Sequence, residues 1–265
     1  MTASDAVFAG SIPALYDRHL VPMLFAPYAA DLAARASALA PRRILETAAG
    51  TGVVTAELAR AMPEAEIVAT DLNQAMLDVA ATRVDSPRVS FAQADALALP
   101  FDNGGFDLLV CQFGVMFFPD RVAGYREARR VLRPGGTFLF NVWDRIDRNP
   151  VSDRLAQAVA QLFPDDPPGF LNRVPFGYHD RDRIEAELRA AGFGDIHGET
   201  VRKSSAVGSP EQAAIGLCHG SPLRAEIEAH GPGALERATH AAAAALAGAE
   251  GDEAPMSALV FSARA

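Results

Sequence analysis

Arg43-Ile44-Leu45-Glu46-Thr47-Ala48-Ala49-Gly50-Thr51-Gly52 runs directly into Val53-Val54-Thr55-Ala56-Glu57-Leu58-Ala59. The segment opens as a short apolar run closed by an acid, Glu46. It passes through a tract of small residues with two glycines. It continues with Val53, Val54, Leu58 and Ala59 at i, i+4 spacing, which reads as a helix. The pattern is strand, tight glycine turn, helix. Gly50 and Gly52 supply backbone freedom and let a ligand approach the main chain closely. A side chain at Gly52 is therefore expected to enter ligand space. The first N–H groups of the following helix lack internal partners and point at whatever occupies the turn. By itself the segment is also compatible with a structural turn that binds nothing.

Outward from this turn the chain alternates. Glu66 to Asp71 is a strand ending in an acid, and Leu72 to Arg83 is a helix with Asn73 as its N-cap. Arg88-Val89-Ser90-Phe91 is a strand followed by Asp95 and Ala96. Phe106 to Gln112 is almost continuously apolar, as a parallel strand buried on both faces requires. A helix then leads to Val131-Leu132. Arg133-Pro134-Gly135-Gly136 is a turn before the strand Thr137 to Val142. Alternation of this kind implies right-handed crossovers and an open, doubly wound, mostly parallel α/β sheet. Ligands of such sheets bind beyond the carboxyl ends of the strands. Glu46, Asp71, Asp95 and Gln112 fall at those ends. A purely structural sheet has no reason to place polar residues there so regularly.

Two ligand classes use a turn of this type. A dinucleotide requires G-x-G-x-x-G, and here the frame reads Gly50-Thr51-Gly52-Val53-Val54-Thr55, without the third glycine. The acid precedes the glycines and suits a cationic ligand. The pattern E-x-A-x-G-x-G resembles motif I of the class I methyltransferases, which bind S-adenosylmethionine (SAM). The alanine at Ala48 followed by Gly50-Thr51-Gly52 is similar to the ubiquinone/menaquinone C-methyltransferase (methyltransferase type 11) branch. Most family members have glycine where this chain has Ala48.

The resemblance covers residues 12–145 and implies a seven-stranded Rossmann-like sheet. It implies SAM as cofactor and S-adenosylhomocysteine as product. By the same resemblance, Glu46, Ala48, Gly50, Thr51 and Gly52 are expected to form the turn at the cofactor, Asp71 to hold the ribose hydroxyls, Asp95 and Ala96 to read the adenine, Leu72 and Phe113 to flank its faces, and Gln112 to make a further contact. The segment before the turn often folds over the cofactor in this family, so Tyr16 or His19 is placed to reach the site. Packing of Tyr16 and Met23 against the sheet is the alternative.

The 265 residues are 49% hydrophobic, and this length suits one large domain or one core with insertions. The net charge of −9 argues against a nucleic-acid partner. The densest basic group, Arg126, Arg129, Arg130 and Arg133, lies near a predicted helix end, where cations suit the dipole. Cys111 and Cys218 are the only cysteines, too few for a disulfide framework. No signal peptide or membrane-length apolar run is visible, so a cytoplasmic protein without membrane insertion is expected. The histidines show no metal-ligand spacing, and no metal is expected.

The chain divides into an N-terminal helical cap segment (1–40), a SAM-binding α/β core (41–145) and the remainder of the sheet with helical insertions (146–265). Within the last part, Pro210 to Ala254 is alanine-rich and reads as a helical cap on the site. Ser257 to Arg264 alternates like a final strand, which the resemblance makes antiparallel.

Methyl transfer from a sulfonium needs alignment and exclusion of water more than a dedicated motif. No catalytic motif stands out. His179 is the candidate base, with His219 second, against a merely packed or surface histidine for each. Tyr16, Met116, Phe117 and Phe176 are candidate substrate contacts and point to a small, rather apolar acceptor. A nicotinamide-dependent oxidoreductase and a non-catalytic SAM-binding protein are the alternatives.

Overall fold

Apolar runs bounded by glycine turns become parallel strands, and the periodic segments between them become crossover helices. The computed structural model describes residues 5, 8–205, 207–247 and 254–265. The chain opens with α1 (Ile12–Leu15), a π-helical segment (Tyr16–Phe25) and α2 (Ala26–Ala38). There follow β1 (Arg43–Thr47), α3 (Val53–Ala61), β2 (Glu66–Asp71), α4 (Gln74–Arg83), β3 (Val89–Gln93), β4 (Phe106–Gln112), α5 (Arg121–Val131) and β5 (Leu132–Trp143). The rest is α6 (Pro150–Leu162), α7 (Phe170–Arg173), α8 (Arg181–Ala190), β6 (Gly194–Ser205), α9 (Pro210–His219), α10 (Leu223–Glu228), α11 (Ala234–Leu246) and β7 (Ala254–Arg264).

The strands form one seven-stranded sheet in the order β3-β2-β1-β4-β5-β7-β6. β1 pairs in parallel with β2 on one side and β4 on the other. β2–β3 and β4–β5 are also parallel. The chain therefore winds outward from β1 to β3 and returns to β4 on the opposite flank. The connections leaving β1 and β4 therefore run in opposite directions along the sheet, which puts the switch point between these two strands. Ile44, Leu45, Leu108, Leu109, Val110 and Cys111 are all buried, as strands covered on both faces must be.

Two details differ from the sequence reading. Phe106 pairs with Leu132 and Leu108 with Thr137, so Arg133-Pro134-Gly135-Gly136 is an excursion within β5 and not a turn before it. Gly135 N–H donates to Ala265 O at 3.0 Å, and Asp144 N–H donates to Ser257 O at 3.1 Å. β7 thus runs antiparallel to β5. It begins at Ala254 and is buried almost throughout instead of alternating. Its place between β5 and β6 leaves neither of its edges exposed.

The chain resolves into two compact units. One comprises Tyr28–Val142, Tyr178–Val201 and Ala258–Ala265, and holds the glycine turn and the strand ends around it. The other comprises Met1–Pro27, Trp143–Gly177 and Arg202–Ser257. In this second unit α11 packs on α9 and α6. It does so through Ala234, Ala238, Ala242 and Leu246, all fully buried at i, i+4 spacing. α9 lies close on the π-helical segment, since a Cβ at Gly216 would stand 2.9 Å from both His19 Cβ and Leu20 Cδ2. Tyr16 stacks on Phe25 with ring centroids 4.9 Å apart, and Phe25 leads to Trp143 and Phe176. The π-helical segment contains Pro22, and Ala26 N–H reaches back to Val21 O. Among the described residues, no helix is long and apolar enough to cross a membrane.

Candidate cofactor site

β1 delivers the chain to the turn, and backbone strain marks where it arrives. Ala48 has φ +53°, Gly50 φ +56° and Gly52 φ +79°. A left-handed alanine is disfavoured by the contact of its Cβ with the following carbonyl. That is the physical reason a glycine suits position 48. Asp71, at the end of β2, organises the turn. Its Oδ2 accepts from Gly50 N–H at 2.9 Å, and its Oδ1 accepts from Asn73 N–H at 2.8 Å. Its Oδ2, which takes Gly50 N–H, keeps capacity for a further donor, whereas Oδ1 also takes the Asn73 side-chain amide. Burial raises the pKa of Asp71, and the main-chain donors of Asn73, Gly50 and Leu72 oppose the rise. Asn73 occupies the N-cap of α4 without a side-chain capping bond. Its amide turns to Asp71 instead, at 3.4 Å.

Glu46 is 1% exposed. Its Oε2 accepts from Thr55 Oγ1 at 2.6 Å, so the first turn of α3 closes over the acid. Burial, aided by the negative charge of Asp71, pushes the carboxyl up to about 8, while the Thr55 hydroxyl works against the shift. Thr51 is also 1% exposed, and its hydroxyl meets no hydrogen-bond partner among the described residues. Buried hydroxyls are rarely left so, and a polar ligand at the turn would satisfy it. Leu72, by contrast, is 50% exposed, an apolar side chain placed beside Asp71. Asp95 is exposed, and its Oδ1 accepts from Leu97 N–H at 2.9 Å, with Ala96 half-buried in the same turn. That loop is tied to β2 by Ala94 N–H donating to Asp71 O at 3.0 Å.

Gly52 also meets a constraint from within the fold. A Cβ there would stand 2.8 Å from Ala80 Cβ and 3.1 Å from Ala80 Cα. The missing side chain makes room for α4.

The end of β4 supplies Gln112 and Phe113. Phe113 also has a positive φ, +50°. Its N–H is held by Asn141 Oδ1 at 2.9 Å and by Asn141 O at 3.2 Å. Asn141 and Thr55 are residues the sequence reading passed over. The signal for Asn141 was a lone polar side chain in the apolar strand Thr137 to Val142. Cys111 is a buried thiol pushed up to about 12 by its surroundings, and it behaves as a core residue.

The remaining candidates are spread between the two units. Met116 is 2% exposed and Phe117 half-buried, on a short turn after β4 in the first unit. His179 is half-buried in that unit, just before the Asp180 cap of α8. Tyr16 is half-buried and Phe176 5% exposed in the second unit, within its aromatic row. His219 lies there too, with its pKa lowered by burial. The Thr239 hydroxyl donates to Leu235 O, so it accepts from His219 Nε2 at 2.8 Å. That bond makes His219 Nε2 the protonated nitrogen and gives the ring a packing role.

Comparison with known proteins gives the same class. Residues 44–136 match a family model described as a methyltransferase domain. The demethylmenaquinone methyltransferase of Deinococcus radiodurans is 38% identical over 133 residues, 49% of this chain and 53% of that protein. That of Clavibacter sepedonicus is 32% identical over 168 residues, 60% of this chain and 68% of that protein. The chain spans about half the length of several of the curated relatives it matches. Among solved structures, a putative methyltransferase (BH2331) of Bacillus halodurans C-125 superposes with a TM-score of 0.55 at 19% identity, over 88% of this chain and 98% of that one. At that identity the likeness shows the fold alone. A seven-stranded sheet in this order, with its glycine turn at the switch point, is the class I methyltransferase fold. The chain belongs to the class I SAM-dependent methyltransferases, in the ubiquinone/menaquinone C-methyltransferase-like branch, and SAM is the cofactor of that family.

Proposed function

We propose that this chain transfers a methyl group from SAM to a small, rather apolar molecule by in-line displacement. One observation carries the reading. Asp71, buried at the end of β2, accepts from Gly50 N–H with one carboxylate oxygen and from Asn73 N–H with the other, and Oδ2 keeps a lone pair for a further donor. A buried carboxylate with an acceptor open beside the glycine turn suits a ribose hydroxyl. In this reading Asp71 holds the ribose, and Leu72 and Phe113 flank the adenine. Asp95 and Ala96 read its edge, and the turn from Ala48 to Gly52, with Thr51 and Gln112, faces the amino-acid end. The unpartnered Thr51 hydroxyl supports a polar ligand at the turn. Bound there, SAM supplies a methyl group on a positively charged sulfur.

The chain's own residues then have a limited task. They orient the acceptor and exclude water. A proton acceptor is required only if the attacking atom carries a proton, and His179 is assigned that role. Met116 and Phe117, after β4, are assigned to the acceptor. The relatives named as demethylmenaquinone methyltransferases support a small-molecule acceptor. Incubation with methyl-labelled SAM and a short-chain demethylmenaquinone tests the proposal. Label in the quinone supports it. Tight SAM binding without transfer to any acceptor would favour a non-catalytic SAM-binding protein, and nicotinamide binding in its place would favour an oxidoreductase.

A further inference from the structure

Phe113 follows β4 with φ +50°, a conformation that bulky side chains rarely adopt. Its N–H is held by Asn141. Asn141 offers Phe113 N–H two acceptors, its side-chain Oδ1 at 2.9 Å and its main-chain O at 3.2 Å. The Phe113 ring meets Tyr28 edge-on with centroids 5.4 Å apart. From the other side Gly114 fixes the same turn. A Cβ at Gly114 would stand 2.5 Å from Ala48 Cβ and 2.6 Å from Cys111 Sγ. The turn after β4 is thus locked onto the turn after β1, where Ala48 is left-handed as well. These are the two strands that flank the switch point, and strain concentrated there points to function.

Asn141 is fully buried on β5 and paired in register with Gln112. Its neighbours Phe140 and Val142 are apolar, and packing alone would favour an apolar side chain between them. The bond from Phe113 N–H fixes which end of the amide is the oxygen. Nδ2 then turns away, and among the described residues it meets no acceptor. A buried amide with one end committed and the other open is unusual for a residue that only packs.

We infer that Asn141 is a positioning residue of the cofactor site, which holds the Phe113 main chain left-handed so that its ring stands where the cofactor's flat base lies. The inference rests on the cofactor reading above. It gives Asn141 no direct chemical role.

A double-mutant cycle on S-adenosylhomocysteine affinity tests it, with calorimetry run well below each melting temperature. Asn141→Leu and Phe113→Ala are each expected to weaken binding by about ten-fold, and the double variant to be no weaker than Phe113→Ala alone. If Asn141→Leu does not fold, Asn141→Ala takes its place in the cycle. An Asn141 variant that melts earlier yet binds like wild type would reduce Asn141 to a structural residue and overturn the inference. Losses that multiply in the double variant would overturn it too, because Asn141 would then act independently of Phe113. A wild-type protein that does not bind S-adenosylhomocysteine would sink the cofactor reading itself, and this inference with it.

Discussion

At the scale of single residues, the glycine turn separates two jobs that look alike in sequence. Gly50 gives its N–H to Asp71, whereas Gly52 gives up its side chain so that α4 fits. Gly52→Val therefore combines a left-handed β-branched residue with overpacking against Ala80, at about 2–5 kcal/mol. A large drop in melting temperature is expected, and a variant melting like wild type would refute the packing role. Glu46 makes a different prediction. The fold holds its carboxyl neutral, with a pKa near 8 against an ordinary 4.5. Its contribution to stability is complete below the ordinary value and is lost as pH rises toward 8, over a range worth a few kcal/mol. Glu46→Gln keeps an acceptor for Thr55 and cannot ionise. Melts at pH 5 and pH 8 are expected to fall less in the variant than in wild type, and parallel curves would contradict this. The sequence placed Glu46, Asp71 and Gln112 at strand ends because strand periodicity is local. Thr55 closing over Glu46 was not legible, since that contact exists only once the turn has folded back.

At the scale of elements, the strands were legible wherever an apolar run met a turn signal. The helical character of residues 11–40 was legible as well. Its wide π-helical middle was not, because α and π spacing share the same apolar residues over so short a run. The excursion in β5 escaped for a similar reason. Arg133-Pro134-Gly135-Gly136 is a turn sequence, and only the pairing with β4 shows that the strand resumes its own line. α11 offers a test at this scale. Its alanine face is fully buried against α9 and α6, so helix approach depends on small side chains. Ala238→Leu forces the helices apart and is expected to cost about 1–3 kcal/mol. Chemical denaturation with an unchanged midpoint would show that the face tolerates bulk.

At the scale of the whole molecule, the compact units draw on segments far apart in the chain, three for each. No reading along the sequence joins Tyr28–Val142 to Tyr178–Val201, because the contacts that join them are long-range. Tyr125 and Tyr178 illustrate this, with hydroxyls 3.0 Å apart and Glu187 accepting from Tyr178 at 2.5 Å. The sheet order places β1 beside the switch point, and the glycine turn that follows β1 meets Asp71 at the end of neighbouring β2. The central claim is that this meeting point holds SAM. Titration of S-adenosylhomocysteine into wild type and Asp71→Ala tests it most directly. Saturable binding by wild type, weakened about ten-fold or more in a folded Asp71→Ala variant, is the predicted result. Equal affinity in the two proteins, or no binding by wild type, would contradict it.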